Sequence, residues 1–224
     1  MNEDVWSAAD SYLAAALLPG DPVLDAVLAA NSAAGLPSID VSPQFGKLLH
    51  LLARIRGARS ILEIGTLGGY STIWLARALP ADGRLITLEA NPLHAETARA
   101  NLSRAGVDHL VELRLGDARE SLQQLANEDR GPFDFIFIDA DKPGNPEYLQ
   151  WSVKLSLPGT LIVVDNVVRG GAVAEADSND PAVLGVRRMN ELIAADPRLT
   201  ATAIQTVGSK GHDGFLLAHV QDVA

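Results

Sequence analysis

The chain has 224 residues, 47% of them hydrophobic, a net charge of −10 and no cysteine. That length supports one sizeable core and a single domain, and the missing cysteine excludes disulfides, thiolate metal sites and cysteine nucleophiles. An acidic chain without a Lys/Arg run is not expected to bind nucleic acid, and without a run of roughly 18 apolar residues it is not expected to span a membrane.

The N-terminus, MNEDVWSAAD, is acidic and lacks the basic start of a signal peptide. With the missing cysteine, this fits a reducing, cytoplasmic location. Residues 1–58 are rich in Ala and Leu and predict helices over 5–17, 22–34 and 43–57. Asp21-Pro22 and Ser42-Pro43 supply a capping side chain followed by a first-turn proline.

From Ser60 the period changes. Short apolar runs at 60–64, 84–89, 111–115, 133–139 and 160–165 predict strands. Helical stretches follow them at 69–79, 92–105, 117–127, 146–157 and 181–195. This alternation predicts an α/β fold, with a mostly parallel sheet covered by helices on both faces. Two further strands, 199–206 and 214–220, would close it as an edge hairpin around a turn from Gly208 to Gly214. Residues 59–224 would form the α/β core and 1–58 a helical extension.

In such sheets ligands bind beyond the carboxyl ends of the strands. The first strand ends in Glu63-Ile64-Gly65-Thr66-Leu67-Gly68-Gly69-Tyr70-Ser71. Its glycines permit a sharp turn and close ligand approach, but the spacing is neither a dinucleotide fingerprint nor a phosphate loop. Glu89 ends the second strand, where a carboxylate can accept both hydroxyls of a ribose. After the third strand, Asp117 can cap a helix, and Ala118 leaves room for a flat base. The fourth and fifth strands end in Asp139 and Asp165-Asn166. If these strands are neighbours, two carboxylates converge and need neutralising. An all-oxygen set of Asp, Asp and Asn suits a hard cation such as Mg²⁺ better than Zn²⁺. Lys142, three residues past Asp139, could then act as a general base. Asp141 could orient Lys142 or face the cofactor. The five histidines show no metal-ligand spacing, and Tyr148, Trp74 and Trp151 read as packing residues.

The ordered set LEIGTLGGYST, ITLEANP, GDA, FIFIDADK and VVDNVVRGG resembles the cation-dependent small-molecule O-methyltransferases. That family includes catechol and caffeoyl-CoA O-methyltransferases. The resemblance covers residues 36–220. It implies a Rossmann-like, seven-stranded class I S-adenosylmethionine fold with an antiparallel last strand, and a homodimer. It implies cofactor contacts at Val41, Glu63, Gly65, Thr66, Gly69, Tyr70, Ser71, Glu89, Ala118 and Asp139. Val41 would belong to an N-terminal lid. It implies metal ligands at Asp139, Asp165 and Asn166, a base at Lys142 and a small aromatic diol as acceptor. The chain departs from many relatives at Asn145, where they carry Tyr, and its loop 167–180 has no aromatic clamp. A nucleotide-binding oxidoreductase would explain the sheet, the glycine turn and Glu89, but not the two aspartates with Asn166.

Overall fold

The computed structural model describes residues 3–222. Before Ser60 the chain is helical: α1 (Glu3–Leu17), α2 (Pro22–Ala33) and α3 (Pro43–Arg56). Asp21 Oδ1 accepts from Val23 N and Leu24 N, and Ser42 Oγ accepts from Phe45 N, so both expected caps form. Helices α2 and α3 bury Leu24, Val27, Leu49 and Ala53. Helix α1 buries no side chain.

The strands are β1 (Ser60–Ile64), β2 (Arg84–Glu89), β3 (Val111–Leu115), β4 (Phe133–Ile138), β5 (Ser156–Asp165), β6 (Leu199–Gly208) and β7 (Gly211–Val220). Between them lie α4 (Tyr70–Ala76), α5 (Pro92–Arg104), α6 (Ala118–Asn127), α7 (Asn145–Lys154) and α8 (Pro181–Ala195). They form one seven-stranded sheet in the order β3-β2-β1-β4-β5-β7-β6. The β1–β2, β2–β3, β1–β4 and β4–β5 pairs are parallel; β7 runs antiparallel to both β5 and β6. This is a Rossmann-like sheet with an antiparallel last strand, as the resemblance implies. Among the described residues no helix is long and apolar enough to cross a membrane.

The inner strands are apolar throughout because both of their faces are covered. Leu62, Ile64, Ile136, Ile138, Ile162 and Val164 pack with Leu122, Leu149, Val186 and Met189 of α6, α7 and α8. The alternate residues Ile61, Phe135, Phe137 and Val163 pack with Leu49, Ile73 and Leu102 of α3, α4 and α5. Each large side chain so buried contributes about 1.5–3 kcal/mol.

Three boundaries differ from expectation. Strand β5 begins at Ser156, inside the expected helix 146–157, because Ser156 pairs with Phe133 and a register shift between Phe133 and Phe135 absorbs the extra residues. Helix α4 is shorter than 69–79: Gly69 is its left-handed N-cap, and i→i+3 bonds at Ala78 and Leu79 tighten the chain before Pro80. The hairpin is longer, since pairing continues to Gly208 with Gly211 and leaves a turn of only Ser209 and Lys210.

Register places the site. Ile64 is level with Leu88 and with Ile138, and Ile138 with Val164. Gly65, Glu89, Asp139 and Asp165 therefore emerge at one height. They flank the switch between β1 and β4, where the chain has gone one way to β2 and returns the other way.

Candidate active site at the strand ends

The glycine turn is built by close approach. Gly65 has φ 101°, and a Cβ there would lie 2.2 Å from the Asp139 carbonyl oxygen. Asp139 N in turn donates to Ile64 O at 2.8 Å. Glu89 Oε2 accepts from Thr66 N (3.3 Å) and Leu67 N (2.8 Å), and its Oε1 from Asn91 N (2.9 Å). Glu89 thus props the turn as well as facing the cleft. Beneath it, Glu63 is fully buried and accepts from the hydroxyls of Ser71, Thr72 and Thr87. Burial pushes the Glu63 carboxyl up to about 7, against the opposing pull of those three hydroxyls.

A cavity of about 680 Å³ lies over these ends. Its wall includes Val41, Gly65, Thr66, Tyr70, Ser71, Glu89, Ala118 and Asp139. Of the expected cofactor contacts, Glu63 and Gly69 stand behind this wall rather than in it. Asp117 both lines the cavity and caps α6 through Arg119 N at 2.7 Å.

The β4 end carries the charge. Lys142 is buried, and its Nζ donates to Asp139 Oδ1 at 2.7 Å. The Asp141 carboxylate acts on Lys142 through the backbone and not through its ammonium, which bonds Asp139. Asp141 Oδ2 caps the short turn Lys142–Gly144 by accepting from Gly144 N, and its Oδ1 accepts from the Tyr148 hydroxyl. Tyr148 therefore stands in the cavity wall, not merely in the packing. Burial, and then the Asp141 hydrogen bond, push the phenol's pKa up. From outside, α8 presses on this turn: a Cβ at Gly185 would lie 2.2 Å from the Lys142 carbonyl oxygen. Asn145 is wholly buried and is not in the lining of this cavity or the next.

At the end of β5, Asp165 Oδ1 accepts from Asn166 N at 2.8 Å. Burial, and behind it the Asp139 carboxylate, push the Asp165 carboxyl up. Asp165 lines a second cavity of about 530 Å³, with Phe45, Leu48 and Phe215 among its apolar lining. Ile39, Asp40, Val41, Asn166 and Arg169 line both cavities, so residues 39–41 with Asn166 and Arg169 form their common boundary.

Among the described residues no group of three or more His, Cys, Asp or Glu could hold a metal. The expected set has two such residues and an amide. Its chemistry still fits a hard cation: the Asp139 carboxylate is near enough to help push the Asp165 carboxyl up, and the Asn166 amide supplies a neutral oxygen next to it in the chain.

A buried amide chain ties the boundary to the glycine turn. Arg104 donates to Asn101 Oδ1. Asn101 Nδ2 donates to Gly68 O (2.9 Å) and Asn31 Oδ1 (2.8 Å), and Asn31 Nδ2 donates to Asp40 Oδ1 (2.9 Å). Sequence reasoning missed Asp40, His94 and Arg169. His94 had a usable signal, being one turn into the helix that follows Glu89; its Nδ1 lies 3.5 Å from Glu89 Oε1.

Residues 20–219 match the family model described as O-methyltransferase. The chain belongs to the O-methyltransferase family. It is 51% identical to a catechol O-methyltransferase of Niastella koreensis, over 99% of this chain and 100% of that protein. Among solved structures, an O-methyltransferase from Bacillus cereus in complex with SAH superposes with a TM-score of 0.97 at 59% identity, covering 98% and 100% of the two chains. A second O-methyltransferase, of tomaymycin synthesis in Streptomyces achromogenes and in complex with SAM, gives 0.95 at 52%, covering 99% and 100%. The family leaves the oxidoreductase alternative without support.

Proposed function

We propose that this O-methyltransferase transfers the methyl group of S-adenosylmethionine to one hydroxyl of a catechol-like acceptor, with Mg²⁺ or a similar cation held by Asp139, Asp165 and Asn166. One observation carries the reading. The ends of β4 and β5 bring these three oxygen donors and the buried Lys142 to the height of the glycine turn, where two cavities meet.

The larger cavity takes the cofactor. Gly65, Thr66, Tyr70 and Ser71 surround its methionine part, with Glu63 and Gly69 setting the turn from behind. Glu89 holds the ribose, and Ala118 leaves space for the base. The cofactor supplies a methyl carbon whose bond to sulfur breaks as the acceptor oxygen bonds to it. The cation, when bound, supplies charge that favours proton loss from a neighbouring hydroxyl. Lys142 Nζ, once it has given up its own proton and stands as the neutral amine, takes the hydroxyl's proton, at a position fixed by the Asp139 carboxylate and the turn that Asp141 caps. Val41 and Asp40 separate the two ligands and exclude water from the point of transfer. Holding two reactants at contact distance is worth up to ~7–11 kcal/mol in favourable cases.

The whole chain acts as one domain, with residues 1–58 supplying helices and the lid. It acts as a homodimer. Strand β6 is an edge whose residues from Thr200 to Val207 are all exposed. Beside it α1 exposes Val5, Tyr12 and Leu17. The two are joined through Ser209 N and Asp10. Such an edge calls for a cover, and a second copy is the proposed one. The absence of cysteine supports a reducing, cytoplasmic setting.

The test is transfer of labelled methyl from S-adenosylmethionine to catechol, with Mg²⁺ and again with EDTA. Transfer that needs Mg²⁺ is expected. Transfer indifferent to EDTA would keep the methyltransferase and remove the cation.

A further inference from the structure

We infer that the second cavity selects aromatic diols that carry an acidic group, with Arg169 as the residue that reads it. This rests on the acceptor reading above. Arg169 and Asn166 both line this cavity, so a ring held beside Asn166 shares it with the guanidinium.

The backbone holds Arg169 in an unusual place. Arg169 has φ 57° and Asn166 φ 58°, left-handed values that non-glycine residues seldom adopt, and Gly170 and Gly171 continue the same turn. Strain of this kind persists only where the surroundings enforce it. Here Asp213 Oδ1 does so, accepting from Val168 N and Arg169 N, each at 3.0 Å.

The side chain is left with donors to spare. Arg169 Nε is buried and has no hydrogen-bond partner among the described residues. Its ion pair with Asp213 is long, at 3.8 Å. A guanidinium has five donors arranged to match a carboxylate, and burying one unpaired is costly. Lys210, at the hairpin tip, lines the same cavity and donates only over 3.4 Å to Ser38 O.

The acids of this cavity already have donors: Asp213 holds the Arg169 turn, Asp10 accepts from Ser209 N at 2.8 Å, and Asp40 accepts from Asn31. Asp165 belongs to the cation set. They keep their charge, so the attraction for an acidic group is local to Arg169 and Lys210, the two basic side chains in the lining.

The experiment compares 3,4-dihydroxybenzoate with its neutral amide, as acceptors and as ligands in calorimetry, for the wild type and Arg169→Gln. One charge-assisted fork should favour the acid by ~10-fold or more in kcat/KM and in affinity, and Arg169→Gln should remove most of both preferences. Arg169→Lys should restore part of the preference, and Lys210→Gln should lower it less than Arg169→Gln. An acid no better than the amide in the wild type overturns the inference, while turnover of both leaves the acceptor reading standing. An acid preference untouched by Arg169→Gln removes the assignment to Arg169. If neither is methylated, the acceptor reading fails, and the binding ratio alone decides whether an anion site exists.

Discussion

On the β1–β2 side of the switch, Glu89 accepts three backbone N–H groups and Glu63 three hydroxyls. On the β4–β5 side, Asp139 and Asp165 have one buried ammonium between them, and Arg169 keeps an unpartnered Nε. The first half is satisfied by its own atoms. The second carries charge and backbone strain that its own atoms do not resolve. A surface that presents a large, floppy cofactor gains from being preformed, since ordering it on binding would cost affinity. A surface that must polarise an acceptor gains from charges left available to the ligand.

The largest effect should come from breaking the unresolved half. Asp165→Ala removes one of two carboxylates in the proposed cation set. Lewis-acid help is worth several kcal/mol, so turnover should fall ~1,000-fold or more at ~1.4 kcal/mol per tenfold. Asp165 does not line the larger cavity, so the calorimetric affinity for S-adenosylmethionine should be little changed. Full turnover in this variant would remove Asp165 from the chemistry.

The satisfied half should fail differently, through folding. Gly65→Ala places a Cβ 2.2 Å from the Asp139 carbonyl oxygen at φ 101°. Neither backbone can yield without breaking the bond from Asp139 N to Ile64 O. A loss of ~3 kcal/mol in urea unfolding is expected, at the upper end for one substitution. Retained stability would mean that β1 and β4 separate more easily than their register implies.

How far these halves were legible in the sequence follows the same division. The sheet was readable because apolar runs alternate with helical stretches, and Asp139, Asp165 and Glu89 stood out as polar ends of those runs. Gly65 announced its turn by residue type. Asp40 and Arg169 lie in segments without periodicity, and a positive φ at Arg169 or Asn166 leaves no mark in the residue names. The Asn101–Asn31–Asp40 chain joins helices far apart in sequence, so no spacing could expose it. The start of β5 at Ser156 was hidden by Pro158-Gly159, which reads as a loop until the register shift beside it is seen. Glu63 was legible as a strand acid, but not as the support beneath the turn.

Glu63→Gln sharpens the comparison through pH. The folded carboxyl titrates near 7, against 4.5 for an ordinary Glu, so the native state holds this proton more tightly between those values. Stability therefore falls as pH rises through that window. Glutamine has no proton to lose. The stability of the wild type relative to Glu63→Gln should drop from pH ~5 to ~8, by at most ~3 kcal/mol at 1.36 kcal/mol per unit. Paired urea titrations at several pH values measure it, and a pH-independent difference would show that the three hydroxyls keep the carboxylate charged throughout.

The smallest effect tests whether the β4 half has any rigid support of its own. Tyr148 is buried, yet its hydroxyl bonds an exposed carboxylate, Asp141, which also caps the turn that carries Lys142. In Tyr148→Phe, Asp141 can replace the lost donor with water and keep its bond to Gly144 N. Stability should therefore fall by only ~1 kcal/mol. Turnover should fall more than stability alone explains, by ~10-fold, because the turn then positions Lys142 with one tie fewer. The loss should appear in kcat rather than in the cofactor's KM, since phenylalanine keeps the ring in the cavity wall and the glycine turn and Glu89 are untouched. A variant with normal kcat would place the whole support of Lys142 on Asp139 and on the packing of Gly185, and the β4 half would then owe its geometry to the helix behind it rather than to the cavity wall.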